Sequence, residues 1–135
     1  MPNNDELNDM LNKLFKRVSV VEIPFKQIAG SFRTMGIRYE MGGGKWCELI
    51  EKTDTTVLIR GFMPKGTSYP LNMHPDANES LTVITGKLKN VNFGITKESL
   101  GNMTWKKETP HDLLAIEDTI FYSLFTKITN ENEQS

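Results

Sequence analysis

Apolar positions recur along the chain with two different periods. Between residues 3 and 18, Leu7, Met10, Leu11, Leu14, Phe15 and Val18 stand three or four apart, which lays one apolar stripe along a helix. Asn3 with Glu6 three residues on resembles a capping pair, and Lys13, Lys16 and Arg17 suit the negative end of a helix dipole. This spacing predicts a helix over 3–18. Residues 1–19 then form a unit that packs on the rest of the chain or docks on a partner subunit.

From Val20 onward the period falls to two. Runs rich in Val, Ile, Thr, Phe and Tyr predict strands over 20–23, 32–39, 46–52, 55–63, 79–85, 88–94, 103–106, 111–116 and 119–127. Turn signals separate them: Gly42-Gly43-Gly44, Thr53-Asp54, Pro64-Lys65-Gly66, His74-Pro75-Asp76 and Glu117-Asp118. Many short strands with no second helix read as one all-β sandwich or barrel over 20–129. The polar stretch 130–135 reads as a flexible tail.

Composition narrows the function. Sixteen Lys and Arg against seventeen Asp and Glu leave a net charge of -1, without the basic surplus that a nucleic-acid partner requires. No stretch approaches the roughly 18 consecutive apolar residues of a membrane span. The first residues are polar and acidic where an export signal is basic and then apolar. The single cysteine, Cys47, makes no internal disulfide, which fits a reducing compartment. The expected location is the cytoplasm.

Only two histidines are present, His74 and His111, so any imidazole chemistry uses one or both. Asn72 and His74, one residue apart, can face the same side of a strand. Glu79 follows the turn 75–78, so the next strand can return beside His74. His111 lies behind Pro110 at the head of another β run. Two imidazoles and a carboxylate are the donor set of many non-haem iron sites. Other candidates are weaker. Cys47 in an apolar strand pattern reads as a buried small hydrophobe. Asp112 faces away from its neighbour His111 and cannot orient it. Gly42-Gly43-Gly44-Lys45 lacks the spacing of a phosphate loop and reads as a hairpin turn. Met63, Tyr69, Trp105, Phe121 and Tyr122 are either pocket-lining or packing residues, the tyrosine hydroxyls being the more informative because a buried one needs a partner.

The segment Gly66-Thr-Ser-Tyr-Pro-Leu-Asn72-Met-His74-Pro-Asp-Ala-Asn-Glu79-Ser-Leu-Thr-Val-Ile-Thr-Gly86 resembles the first motif of the cupin family at every spacing. Asn72 stands where that motif has its first histidine. The stretch 101–115 is a looser match to the second motif, with Pro110 directly before His111 and Ala115 in place of an asparagine. The resemblance, over 55–127, implies a double-stranded β-helix (a jelly-roll barrel) that is often a homodimer. It also implies a divalent metal, Fe, Mn, Zn or Ni, held by His74, Glu79 and His111. Asn72 then binds weakly, holds a water, or leaves a position open; alternatively the missing histidine marks a cupin without metal. Asn72, Tyr69 and Tyr122 are the expected ligand-binding residues. The implied activities are those of a dioxygenase, isomerase or lyase on a small polar organic substrate. The other reading is a non-catalytic metabolite-binding or sensor module.

Overall fold

The computed structural model describes residues 4–7 and 20–129. Residues 4–7 are helical, at the start of the expected N-terminal helix; the rest of that helix and the tail 130–135 lie outside the described residues. The remainder is built from eleven strands and one short helix: β1 (Val21–Glu22), α1 (Phe25–Ser31), β2 (Arg38–Gly42), β3 (Lys45–Lys52), β4 (Thr56–Met63), β5 (Ser68–Met73), β6 (Ala77–Thr85), β7 (Lys87–Asn90), β8 (Ile95–Glu98), β9 (Asn102–Trp105), β10 (His111–Ala115) and β11 (Thr119–Lys127). They form a five-stranded sheet in the order β1-β5-β10-β7-β8 and a six-stranded sheet in the order β2-β3-β4-β11-β6-β9.

Alternation along the strands sets which side chains meet inside. On β4, Val57, Ile59 and Met63 are buried while Leu58, Arg60 and Phe62 face out; on β11, Phe121, Ser123 and Phe125 are buried and Tyr122 and Leu124 are not. Met63, Leu81, Val83 and Leu88 share one apolar cluster with Leu113 and Phe121. Phe25, Ile28, Phe32, Leu49, Val57, Ile59 and Phe125 form the other, beneath α1. Each fully buried aliphatic side chain contributes about 1.5–3 kcal/mol. The turn between β6 and β7 depends on Gly86, whose φ is +95° and whose added Cβ would stand 2.2 Å from the Asp118 carbonyl oxygen.

Four features depart from the sequence expectation. A second helix is present, because Phe25, Ile28 and Phe32 fall at helical spacing just after Pro24, a pattern too short to stand out from the β runs. Its first N–H, on Phe25, donates to Asp76 Oδ1 at 2.8 Å, and Lys52 Nζ caps its far end on the carbonyls of Ala29 and Phe32. The run expected at 32–39 is mostly loop, since Gly36 takes φ +80° and the strand begins only at Arg38. The run expected at 88–94 ends at Asn90 and passes into a 3-10 turn over Val91–Phe93. Strand β8, a short polar edge, was not expected, and β5 was expected only around Asn72, because Pro70 masks its first half.

Candidate metal centre

Three strand positions bring the chain's two imidazoles onto one carboxylate. Glu79 is an inward position of β6, His74 directly follows β5 just before the turn at Pro75, and His111 opens β10 across from Asn72. All three are buried, at 5%, 5% and 2% exposure for His74, Glu79 and His111. Their donor atoms lie within 4.8 Å of one another. His74 Nε2 and His111 Nε2 each stand 3.0 Å from Glu79 Oε1. The other carboxylate oxygen, Oε2, accepts the Ser123 hydroxyl at 2.5 Å.

The far side of each ring is fixed as well. His74 Nδ1 donates to the Ile23 carbonyl at 2.9 Å, and His111 Nδ1 donates to the Thr109 carbonyl at 3.1 Å. Trp105 stacks on His111 with centroids 4.0 Å apart, and Phe125 meets His74 edge-on at 5.2 Å. With both Nδ1 protons spent on backbone oxygens, neutral rings point two Nε2 lone pairs at a carboxylate oxygen that is itself only an acceptor. A cation among the three, or an added proton on each ring, resolves that conflict. Two imidazole nitrogens and one carboxylate oxygen, each oriented by an outer hydrogen bond, form a donor set that fits a first-row divalent metal. The electrostatics of the metal-free protein agree. Burial would raise the Glu79 carboxyl, yet the hydrogen bonds from His111 and His74 overcome it and hold it down to about 2. Burial would lower His74, and the Glu79 carboxylate overcomes that and raises it.

Beside the triad lies a cavity of about 220 Å³. Its walls are mostly apolar, from Ile23, Ile28, Phe32, Met41, Ile59, Phe121 and Phe125, with Gln27, Ser31, Cys47, Tyr69, Asn72 and Ser123 as the polar additions. This is smaller than the roughly 300–1,000 Å³ of pockets for drug-sized molecules and suits a ligand of few heavy atoms.

Of the expected ligand-binding residues, Tyr69 and Asn72 reach this cavity and Tyr122 does not. Tyr122 occupies the outward register of β11, opposite Arg60, because its neighbours Phe121 and Ser123 take the inward ones. Met63 and Trp105 are packing residues of the core, as is Ala115. Asp112 points away from His111 and accepts the Asn92 N–H at 3.2 Å. Asn72 spends its amide on the backbone, donating to the Pro70 carbonyl at 2.9 Å and the His111 carbonyl at 3.3 Å. It ties β5 to β10 beside a ligand. Asn72→Ala is therefore expected to keep its metal with less than about tenfold loss of affinity, measured by competition with a chromophoric chelator.

Ser123, the Ile23 and Thr109 carbonyls and the α1 wall were not anticipated. Ser123 carried a readable signal, a polar residue between Phe121 and Phe125 at an inward position. The carbonyls carried none, since any residue supplies one.

Cys47 is buried at 2% exposure, and burial pushes its thiol up to about 11 from the ordinary 9.0. A raised folded value means stability that is whole below pH 9 and lost as pH climbs to about 11. Urea melts of the wild type are expected to lose about 2–3 kcal/mol over that window, and those of Cys47→Ala less.

At the sequence level no family model and no curated protein matches the chain. Solved structures do. KdgF from a Halomonas species superposes with a TM-score of 0.64 at 13% identity, covering 70% of this chain and 91% of that one. An RmlC-like cupin from Shewanella frigidimarina gives 0.59 at 14% identity, over 70% of this chain and 86% of that one. The chain has the cupin fold. An acetylacetone dioxygenase from Acinetobacter johnsonii is similar to this chain as well, with a TM-score of 0.58 at 15% identity over 71% of this chain and 73% of that one. Within this fold the triad occupies the positions that the sequence resemblance assigned to ligands, with Asn72 turned to a structural task. No helix among the described residues is long and apolar enough to cross a membrane.

Proposed function

We propose that this cupin binds one divalent metal ion, Fe, Mn, Zn or Ni, through His74 Nε2, Glu79 Oε1 and His111 Nε2, and that with iron bound the site would use dioxygen as the oxidant of a small organic molecule admitted to the cavity. The observation that carries the reading is the proton accounting at the two rings, whose Nδ1 atoms are committed to carbonyls while both Nε2 atoms converge on Glu79. A bound metal supplies Lewis acidity toward a carbonyl or carboxylate oxygen, and iron adds electron transfer with dioxygen.

The chain's own residues favour oxidation over proton-shuttling chemistry. Among the described residues, the titratable ones that line the cavity outside the triad are Cys47 and Tyr69, and burial raises both, so neither serves as a base near neutral pH. An isomerase or lyase needs such a base. The mostly apolar walls suit an apolar skeleton, which narrows the expected polar substrate to one whose polarity sits in its oxygen atoms. That a dioxygenase shares the fold supports the same direction. A homodimer in a reducing cytoplasm belongs to the proposal; the buried unpaired thiol of Cys47 supports the reducing compartment.

The test is oxygen uptake. Protein loaded with ferrous iron under argon is mixed with acetylacetone in aerated buffer, beside His74→Ala treated alike. Oxygen consumption in step with loss of the diketone, absent from the variant, supports the reading. Saturable binding without oxygen uptake assigns the cupin to the non-catalytic binders instead.

A further inference from the structure

The cavity wall carries one polar pair that the metal centre does not use. Tyr69 on β5 and Cys47 on β3 come from different sheets and meet inside, Oη 3.5 Å from Sγ. Both line the cavity. Among the described residues the Tyr69 hydroxyl has no other hydrogen-bond partner than this thiol. A thiol is a weak donor and a weak acceptor, whereas a buried tyrosine ordinarily finds a strong partner. The phenol's hydrogen-bonding capacity is thus only weakly engaged, on a residue that lines the space where a ligand would sit. Burial keeps it protonated, and therefore a donor, throughout the neutral range. Its ring is steadied from outside by Lys45, whose ammonium lies 4.3 Å from the ring centroid and donates to the Ser68 carbonyl. Changing partner requires only rotation of the O–H bond.

We propose that Tyr69 is a specificity-determining residue: its hydroxyl leaves the Cys47 thiol and donates to an oxygen of the bound molecule. The cavity then selects a small compound with an apolar skeleton and two oxygen functions, one for the metal centre and one for Tyr69. This rests on the reading of the triad as a metal site and names the class of molecule that site takes. The thiol acts as a weak resting partner that a better acceptor displaces. A serine at position 47 would hold the phenol more strongly and compete with the ligand, while an alanine would not.

The experiment uses zinc-loaded protein, so that binding is read without turnover, and two probes that differ by one carbonyl oxygen, acetylacetone and 2-pentanone. Zinc content is measured first in every protein. Tyr69→Phe is expected to weaken acetylacetone about tenfold and to leave 2-pentanone unchanged. Cys47→Ser is expected to weaken acetylacetone by roughly threefold or more, and Cys47→Ala to leave it unchanged. The chain has a single cysteine, so its S–H stretching band reports the pair directly. That band shifts when acetylacetone is added to the wild type and stays put in Tyr69→Phe. Equal affinity for acetylacetone in wild type and Tyr69→Phe overturns the role of Tyr69. So does absence of binding up to about 10 mM in wild type that holds its zinc. Should Tyr69→Phe fail to fold, the difference between the two Cys47 variants decides in its place, and equal responses overturn the proposal. A wild type that takes up no zinc overturns the metal reading itself, a failure seen before any probe is added.

Discussion

Glu79→Ala is expected to abolish stoichiometric metal binding and to destabilise the chelator-treated protein by about 3–5 kcal/mol in urea melts. Its two oxygens meet both imidazoles and the Ser123 hydroxyl in a buried setting. Removing it leaves a hydroxyl without an acceptor and two rings without the charge that orients them. Glu79→Gln separates the two effects. It keeps the volume and is expected to recover much of the fold, yet its neutral amide is a poor metal ligand and affinity stays at least about a hundredfold down.

The same residues set opposite pH trends with and without metal. The lowered Glu79 carboxyl contributes stability that is present above its ordinary 4.5 and lost as pH falls toward about 2. The raised His74 contributes stability that is full below its ordinary 6.5 and lost as pH rises through its higher folded value. Metal-free protein is therefore most stable between those ordinary values, whereas metal binding requires unprotonated rings and strengthens above them. Thermal melts across pH, with and without zinc, are expected to diverge as pH rises. Parallel curves would contradict the assignment.

Gly61→Ala is expected to cost about 1–3 kcal/mol or more and to close the cavity to small ligands. Gly61 faces Phe121 in the β4–β11 register, and an added Cβ would lie 2.3 Å from the Phe121 ring. Ring and backbone cannot both keep their places. The ring borders the cavity, so relief of the clash moves it into the space a ligand needs. Phe121→Leu introduced alongside is expected to recover stability, and a double-mutant cycle in urea measures that coupling. Additive losses would show that the two positions do not press on one another.

The contrast between Glu79 and Gly61 shows what the sequence made legible. His74, Glu79 and His111 are rare polar residues in apolar runs at a spacing that resembles a known motif, and the structure brings all three together. Gly61 looks like any strand glycine until the ring opposite is known, because pairing between distant strands is not written in either run. Tyr122 failed for a related reason. Its place in β11 fixes that it alternates with Phe121 and Ser123, but not which set faces inward. Helix α1 was hidden by its length of seven residues, although Phe25 and Ile28 carried the period. The carbonyls of Ile23 and Thr109, which fix the two rings, are backbone atoms with no signature at all.

The most direct test of the metal site is elemental analysis of untagged protein after exposure to iron, manganese, zinc and nickel in turn, for wild type, Asn72→Ala and His74→Ala. One equivalent of a divalent metal is expected in the wild type, retained by Asn72→Ala and lost from folded His74→Ala. A wild type that binds none of the four, or a His74→Ala that keeps its metal, would contradict the metal site.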